Sequence, residues 1–211
     1  MARELLKATL ETLYMVGLST FFSMVIGFGI AVVLIITGPR GLRPNAPVYR
    51  VLDVVVNLLR SFPFIILMIA LIPLTSLLVG TPIGSTAAMV PLTVAAAPFM
   101  ARLIEGSLLE VDPDVVEAAR SFGASDAQII FRVLLKEALP AIILNTAVLA
   151  IALIGYSAMA GAIGGGGLGA FAYNYGYLRF KTDMMLYAVI LLIVIVQGVQ
   201  SLGNYLYRKL R

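Results

Sequence analysis

Five acidic side chains lie close together in one polar stretch of the sequence, and they are the first groups that could carry chemistry. They are Glu105, Glu110, Asp112, Asp114 and Glu117. Clustered carboxylates can bind a divalent cation or act as an acid–base pair. The sequence has no Cys and no His, so thiolate and imidazole ligands are excluded. We favour a solvated loop leading into a helix, because Asp112-Pro113-Asp114 puts a proline and two acids at a helix start.

A glycine-rich segment offers a second candidate site. Gly164, Gly166 and Gly169 have the spacing of the dinucleotide-binding fingerprint. That fingerprint must follow a strand and open a helix, whereas these glycines follow a long hydrophobic run. We therefore reject nucleotide binding here and interpret the glycines as a flexible or tightly packed segment. The sequence also lacks the glycine-rich loop with Lys and Ser or Thr that cradles ATP phosphates.

The polar stretch continues into a predicted pair of helices. Residues 114–122 have helix-forming composition, and Gly123 follows them as a C-terminal cap. Ser125 and Gln128 have the spacing of a capping box, which predicts a second helix. That helix has one apolar stripe, formed by Ile129, Ile130, Val133 and Leu134. The sequence therefore predicts a compact helix–turn–helix, which serves either as a docking surface or only as a connector.

Composition indicates the environment of these elements. Hydrophobic residues make up 61% of the 211 residues and charged residues 12%, with a mean hydropathy of +1.01. Soluble domains carry about 25% charged residues, and disordered chains need low hydrophobicity. An ordinary soluble enzyme and a disordered protein are therefore excluded in favour of a membrane protein. The net charge of +4 is interpreted as orienting charge, not as a nucleic-acid footprint.

Five weakly charged runs are long enough to cross a bilayer, which takes about 20 residues. The predicted spans are residues 13–36, 62–79, 84–102, 140–160 and 184–206. The chain 1–211 is thus predicted to be a single all-α transmembrane domain with five membrane-spanning helices. Its polar loop, at about 110–138, joins spans three and four.

The cations predict the orientation of these spans. With the N-terminus outside, the inner segments hold eleven Lys and Arg residues, Arg211 among them, and the outer segments hold four. Short loops rich in Lys and Arg stay in the cytoplasm. We therefore expect a multi-pass protein with an extracytoplasmic N-terminus, a cytoplasmic C-terminus and a cytoplasmic polar loop.

The polar loop resembles the signature of permease subunits of ATP-binding-cassette importers. Glu117-Ala118-Ala119 is followed by Gly123, and Val133-Leu134-Leu135-Lys136 stands at the expected distance. Lys136 replaces the proline of the signature, and a second Leu-Pro follows at residues 139–140. In that family the loop is a coupling helix that docks on the ATPase subunit. The resemblance implies ATPase-coupling roles for Glu117, Ala118, Ala119, Gly123, Ser125 and Gln128.

Other segments are similar to the methionine (D-/L-methionine) importer permeases. They are residues 57–66, 90–99, 155–161 and 165–169. The resemblance implies a bacterial inner-membrane permease, not an enzyme, that forms a homodimer with two ATPase subunits. ATP would be bound by the ATPase, with no cofactor in this chain. An extracytoplasmic binding protein would deliver the substrate, lipid would surround the spans, and nucleic acid would play no part.

Other functions remain open at this point. A permease for another amino acid or a small osmolyte would have the same composition. A stand-alone secondary transporter or channel would need no ATPase, but such proteins often carry ionisable residues within their spans. A scaffold protein would use the helix pair only as an interaction surface. A path without intramembrane charges suits methionine, whose side chain is apolar.

The outer end of the fourth span suggests a gate. Small residues surround Met159 in the segment 154–161, which also contains Tyr156 and Ser157. In a symmetric dimer, two such Met side chains would meet near the axis and close the path. Met suits this role because it is apolar, unbranched and adapts to irregular gaps. The alternative is that Met159 only packs against a neighbouring helix.

Overall fold

The structure is a computed structural model, and it describes residues 2–210. Within that range all regular secondary structure is helical and there is no strand, which confirms the all-α prediction. Arg211, one of the cations counted for orientation, lies outside the described residues.

Ten α-helices and three π-helical segments follow one another in the described chain. The α-helices are α1 (Ala2–Thr37), α2 (Ala46–Ser61), α3 (Phe64–Ala70), α4 (Ile72–Val79), α5 (Ser85–Leu109), α6 (Pro113–Ser121), α7 (Asp126–Gln128), α8 (Leu135–Ala160), α9 (Gly167–Phe171) and α10 (Thr182–Leu210). The π-helical segments are Ile129–Leu134, Gly161–Gly165 and Ala172–Tyr177. Four stretches are long and apolar enough to cross a membrane, namely α1, α5, the 40-residue segment Asp126–Gly165, and α10. The third of these is kinked near its end, where Ile163 and Gly164 have non-helical backbone angles.

The second predicted span differs most from expectation. Residues 62–79 do not form one helix, because α3 and α4 meet at Leu71 and α3 bends by 103° from α2. Pro63 causes the bend, since Phe62 before it takes an extended backbone. The bent pair of α2 and α3 is the fifth candidate span.

Helix α5 is longer than the predicted span 84–102, and this corrects the interpretation of Glu105. The helix continues to Leu109, so Glu105 lies within it and is only 5% exposed. Arg102 donates to Glu105 Oε2 at 2.7 Å and forms an ion pair with Asp53 of α2. The solvated-loop interpretation is therefore wrong for Glu105, which belongs to a charge cluster joining α2 to α5.

Helices α1 and α5 pack at close range in the core. A Cβ atom on Gly27 would lie 2.9 Å from the backbone nitrogen of Ala101 and 3.0 Å from the carbonyl oxygen of Ala97. Ser23 donates a hydrogen bond to the Thr93 carbonyl at 3.3 Å. Small residues allow such backbone approach in membrane proteins. Helix α6 follows this pair after the short connection 110–112.

The start of α1 also holds the glycine segment that follows α8. Gly167 donates its N–H to Glu11 Oε2 at 2.8 Å, and Leu168 donates its N–H to Thr12 Oγ1 at 2.8 Å. Gly166 and Gly167 have φ angles of +79° and +74°, which glycine adopts without strain. These glycines therefore form a tight turn that is capped by the first helix of the chain.

Candidate functional site

Local hydrogen bonds fix the short helix α6 at both ends. The Asp112 carboxylate accepts the N–H of Asp114 at 2.9 Å, and Pro113 occupies the first turn. At the other end Gly123 has φ +77° and donates its N–H to the Arg120 carbonyl at 2.8 Å. These are the start and stop signals predicted from the sequence, and both are confirmed.

The predicted capping box is confirmed as well. The Ser125 side chain accepts the N–H of Gln128 at 3.3 Å, and Ser125 donates its own N–H to Gln128 Oε1 at 2.8 Å. These bonds satisfy the first donors of the helix that begins at Asp126. Ser125 and Gln128 therefore position the turn between α6 and α7.

Helix α6 turns one side toward the protein and one side outward. Val116 and Ala119 pack against the core. Beneath them Ile129, Ile130 and Leu134 of the predicted apolar stripe are buried, and Val133 is half-buried. The outward side carries the residues that we call the coupling surface, namely Val115, Glu117, Ala118 and Phe122. Of the residues assigned by resemblance, Glu117 and Ala118 thus face outward, whereas Ala119 faces the core.

Phe122 is the residue on this surface that sequence reasoning missed. Its side chain is 91% exposed at the end of α6. The available signal was an aromatic residue placed directly before a cap glycine, where the chain turns away from the helix. Exposed apolar side chains in a group mark an interaction site. Val115, Ala118 and Phe122 together make the coupling surface apolar, with the Glu117 carboxylate beside them.

Two polar contacts tie α6, α7 and the turn between them (residues 113–128), which we call the coupling loop, to the segment between α1 and α2. Arg120 of α6 donates to the Leu42 carbonyl at 3.0 Å. Arg43 forms an ion pair with Asp126 at the start of α7. The segment 38–45 therefore contacts residues on both sides of the turn at Gly123. The sequence alone did not predict these contacts.

The coupling loop continues into the long apolar segment without a break. The helix runs through Pro140, the proline of the second Leu-Pro that follows Lys136. Between Asp126 and α8 the one irregularity is a π-helical turn at Ile129–Leu134. Such turns are rare and occur often at functional sites. The loop is therefore joined to α8 by one continuous helical segment.

The three residues predicted for the gate have different surroundings. Ser157 is 1% exposed and donates to the Ile154 carbonyl of its own helix at 2.8 Å. The Tyr156 ring stacks on Phe64 of α3, with ring centroids 4.8 Å apart. Met159 alone points outward, with 49% of its surface exposed. The three side chains therefore do not form one cluster.

An open strip on α8 contains Met159. Val148, Gly155 and Met159 follow one another at helical spacing and are all exposed. A Cβ atom on Gly155 would meet no other atom within 4 Å. The strip is therefore a face of α8 that no other helix of the described chain covers, and Gly155 leaves a gap between the side chains of Val148 and Met159. The Tyr156–Phe64 stack lies beside it and links α8 to the bend between α2 and α3.

Among residues 2–210, no three His, Cys, Asp or Glu side chains converge in an arrangement that could hold a metal ion. The acidic residues of the polar stretch therefore act separately. Asp112 caps α6, Asp126 pairs with Arg43, and Glu105 pairs with Arg102.

Comparisons with known proteins agree with this arrangement. Residues 23–211 match the family described as "Binding-protein-dependent transport system inner membrane component". A Vibrio cholerae protein named "Probable D-methionine transport system permease protein MetI" is 51% identical over 97% of this chain and 91% of its own length. The Bacillus subtilis "Methionine import system permease protein MetP" is 46% identical over 95% of this chain and 90% of its own length.

A solved structure has the same fold. It is described as an inward-facing conformation of the MetNI methionine ABC transporter. It shares 44% sequence identity and a TM-score of 0.98, covering 100% of this chain and 98% of that chain. The helical architecture, the apolar spans and these matches agree, and the chain belongs to the family of inner-membrane components of binding-protein-dependent transport systems, which makes it a multi-pass membrane permease.

Proposed function

We propose that this chain is the permease subunit of an ATP-driven methionine importer and works as a homodimer with two ATPase subunits. The observation that carries the proposal is the coupling surface, an outward apolar patch on a capped helix that continues into a long membrane span. The methionine transport named for the V. cholerae and B. subtilis relatives supports the choice of substrate.

The coupling surface is the contact for the ATPase subunit. Phe122 and Val115 are the apolar anchors, and Ala118 between them leaves room for close approach. Exposed aromatic side chains are frequent anchors of protein interfaces, because they bury a large area at one point. Glu117 stands at the edge of the patch, where a cation of the partner can pair with it. ATP binds to that partner, and this chain supplies no catalytic residue.

The orientation of the chain in the membrane follows from assigning the coupling surface to the ATPase contact. The coupling surface faces the cytoplasm, together with Arg208 and Lys209 at the end of α10. The start of α1 and the capped glycine turn then lie on the outer side, where an extracytoplasmic binding protein delivers methionine. The excess of cations on the cytoplasmic side supports this orientation.

Met159 serves as the gate in this proposal. Asp126 and Met159 lie in one continuous helical segment, about 50 Å apart at a rise of 1.5 Å per residue. That length exceeds the hydrocarbon core of about 30 Å, so the segment connects the cytoplasmic loop to the outer end of the path. Two copies of the open strip on α8 enclose the path, and their Met159 side chains close it.

Transport in a defined system tests the proposal. The chain is reconstituted in liposomes with its ATPase and its binding protein, and ATP-dependent uptake of labelled L- and D-methionine is measured. We expect uptake that requires both ATP and the binding protein. Uptake without the ATPase, or preferential uptake of another amino acid or an osmolyte, would contradict the proposal.

A further inference from the structure

Helix α10 is the least covered of the long helices. One side packs against α8, where a Cβ atom on Gly203 would lie 2.5 Å from the Ala147 Cβ atom. Leu192, Val196 and Val199 on the same side contact the core. The opposite side of the helix is exposed along its whole length in a single protomer.

The exposed side of α10 changes character half-way along the helix. Its first half carries Leu186, Ile190 and Ile193, which suit contact with lipid. Its second half carries Gln197, Ser201 and Asn204, spaced by four and three residues on one stripe. Asn204 accepts a hydrogen bond from Gln200 at 3.2 Å. Within residues 2–210 the Gln197 amide has no hydrogen-bond partner.

Gln197 lies within the hydrocarbon core wherever α10 sits in the bilayer. The helix has 29 residues, from Thr182 to Leu210, and the core takes about 20 of them. A stretch of that length ends at about residue 201 if it starts at Thr182, and starts at about residue 191 if it ends at Leu210. Gln197 belongs to every such stretch.

A primary amide in that position cannot face lipid without cost. Each unsatisfied polar group in hydrocarbon costs several kcal/mol, so such side chains turn toward other polypeptide or water. The Gln amide both donates and accepts hydrogen bonds, so two copies related by a twofold axis satisfy each other. The small side chain of Ser201, one turn further along, allows the helices to come close.

We infer that the second half of α10 is a contact face between two copies of this chain, in which Gln197 bonds to the partner's Gln197. The inference rests on the proposed two-copy importer and names a surface for it. Ser201 packs at the same contact, and Asn204 extends the polar stripe toward the cytoplasmic end. The apolar first half of the stripe faces lipid.

Cysteine cross-linking tests this contact, because the chain has no cysteine of its own. Gln197→Cys and Ser201→Cys are placed separately in the complete importer in membranes and then oxidised. Leu202→Cys is the matched control, since Leu202 is also exposed but lies about 140° around the helix from Gln197. We expect Gln197→Cys and Ser201→Cys to shift to the mass of two linked chains, and Leu202→Cys to stay at the mass of one.

Two results would overturn the inference. Failure of both stripe variants to cross-link in an importer that contains two copies and takes up methionine would show that the copies meet elsewhere. Rapid labelling of Gln197→Cys by a membrane-impermeant thiol reagent would show that the stripe lines an aqueous cavity. Neither result touches the proposed function, which fails instead if the unsubstituted importer contains one copy or does not transport methionine.

Discussion

The two ends of the helical segment Asp126–Gly165 are built differently. At the coupling end, Asp112, Gly123 and the Ser125–Gln128 box close hydrogen bonds with residues two or three positions away. At the gate end, Tyr156 stacks on Phe64, more than ninety positions earlier in the chain, while Met159 contacts little within its own protomer. The coupling end therefore has a shape of its own, whereas the gate end obtains its surroundings from other helices and, in the proposed homodimer, from a second copy.

The strongest test of the self-contained coupling end is Gly123→Val. No atom lies within 4 Å of a Cβ atom at this position, so the cost comes from the left-handed backbone alone. A β-branched residue is poorly tolerated there, and the turn between α6 and α7 should change direction. We expect methionine transport to be lost while the protein still inserts into the membrane.

Gly123→Asn is the matched variant at the same position. Asn tolerates the left-handed conformation far better than Val does. Transport should therefore be largely retained, measured in the same liposome assay. Normal transport by Gly123→Val would contradict the role of this turn in coupling.

The next largest effect is expected for Phe122→Ala. The change removes the main apolar anchor from the coupling surface, and such truncations cost more than about 1 kcal/mol of binding energy, or roughly fivefold to tenfold in affinity. Titration of the ATPase subunit against the reconstituted permease measures the loss. Phe180→Ala is the control, because Phe180 is 88% exposed but lies beyond the glycine segment. Equal losses of affinity in both variants would show that Phe122 does not lie at the interface with the ATPase.

The substitution Met159→Ala tests whether Met159 closes the path at the gate end. With half of its surface exposed in the protomer, Met159 contributes little to folding, so the complex should assemble normally. The truncation should leave a hole in the seal and raise ATP hydrolysis that is not accompanied by uptake. Met159→Leu keeps the apolar volume and should stay coupled. Unchanged coupling in Met159→Ala, measured as methionine imported per ATP hydrolysed, would show that Met159 only fills space.

The smallest effect is expected at the Arg43–Asp126 ion pair. Both side chains are partly exposed, and such pairs contribute little because water and salt screen them. Arg43→Asp should slow transport by no more than about fivefold, which corresponds to about 1 kcal/mol. Combining it with Asp126→Arg should restore the rate by reversing the pair. Lack of rescue would mean that the segment 38–45 moves independently of the coupling loop.

The difference between the coupling end and the gate end also explains which features can be predicted from the sequence. Caps, the αL glycine and the apolar stripe depend on neighbours in the chain, so residue type and spacing reveal them. Helix α2 was left out of the predicted spans because it carries Asp53 and other charges that a hydropathy count excludes, although Arg102 of α5 pairs with Asp53. Phe122 was missed because a lone aromatic residue is normally expected in a core. Pairings between distant helices and exposure at an interface are properties of the assembled molecule.

The cap on the glycine turn has a consequence for the order of synthesis. Glu11 and Gly167 are separated by 156 positions, and Thr12 and Leu168 by the same number. At 5–20 residues per second, the ribosome adds the second partner roughly 8 to 30 s after the first. Glu11 and Thr12 at the start of α1 therefore lack these hydrogen-bond donors until the glycine segment has been synthesised. The glycine turn is thus completed late, on a helix that was made first, and a truncation that removes either partner removes the hydrogen bonds that hold the turn.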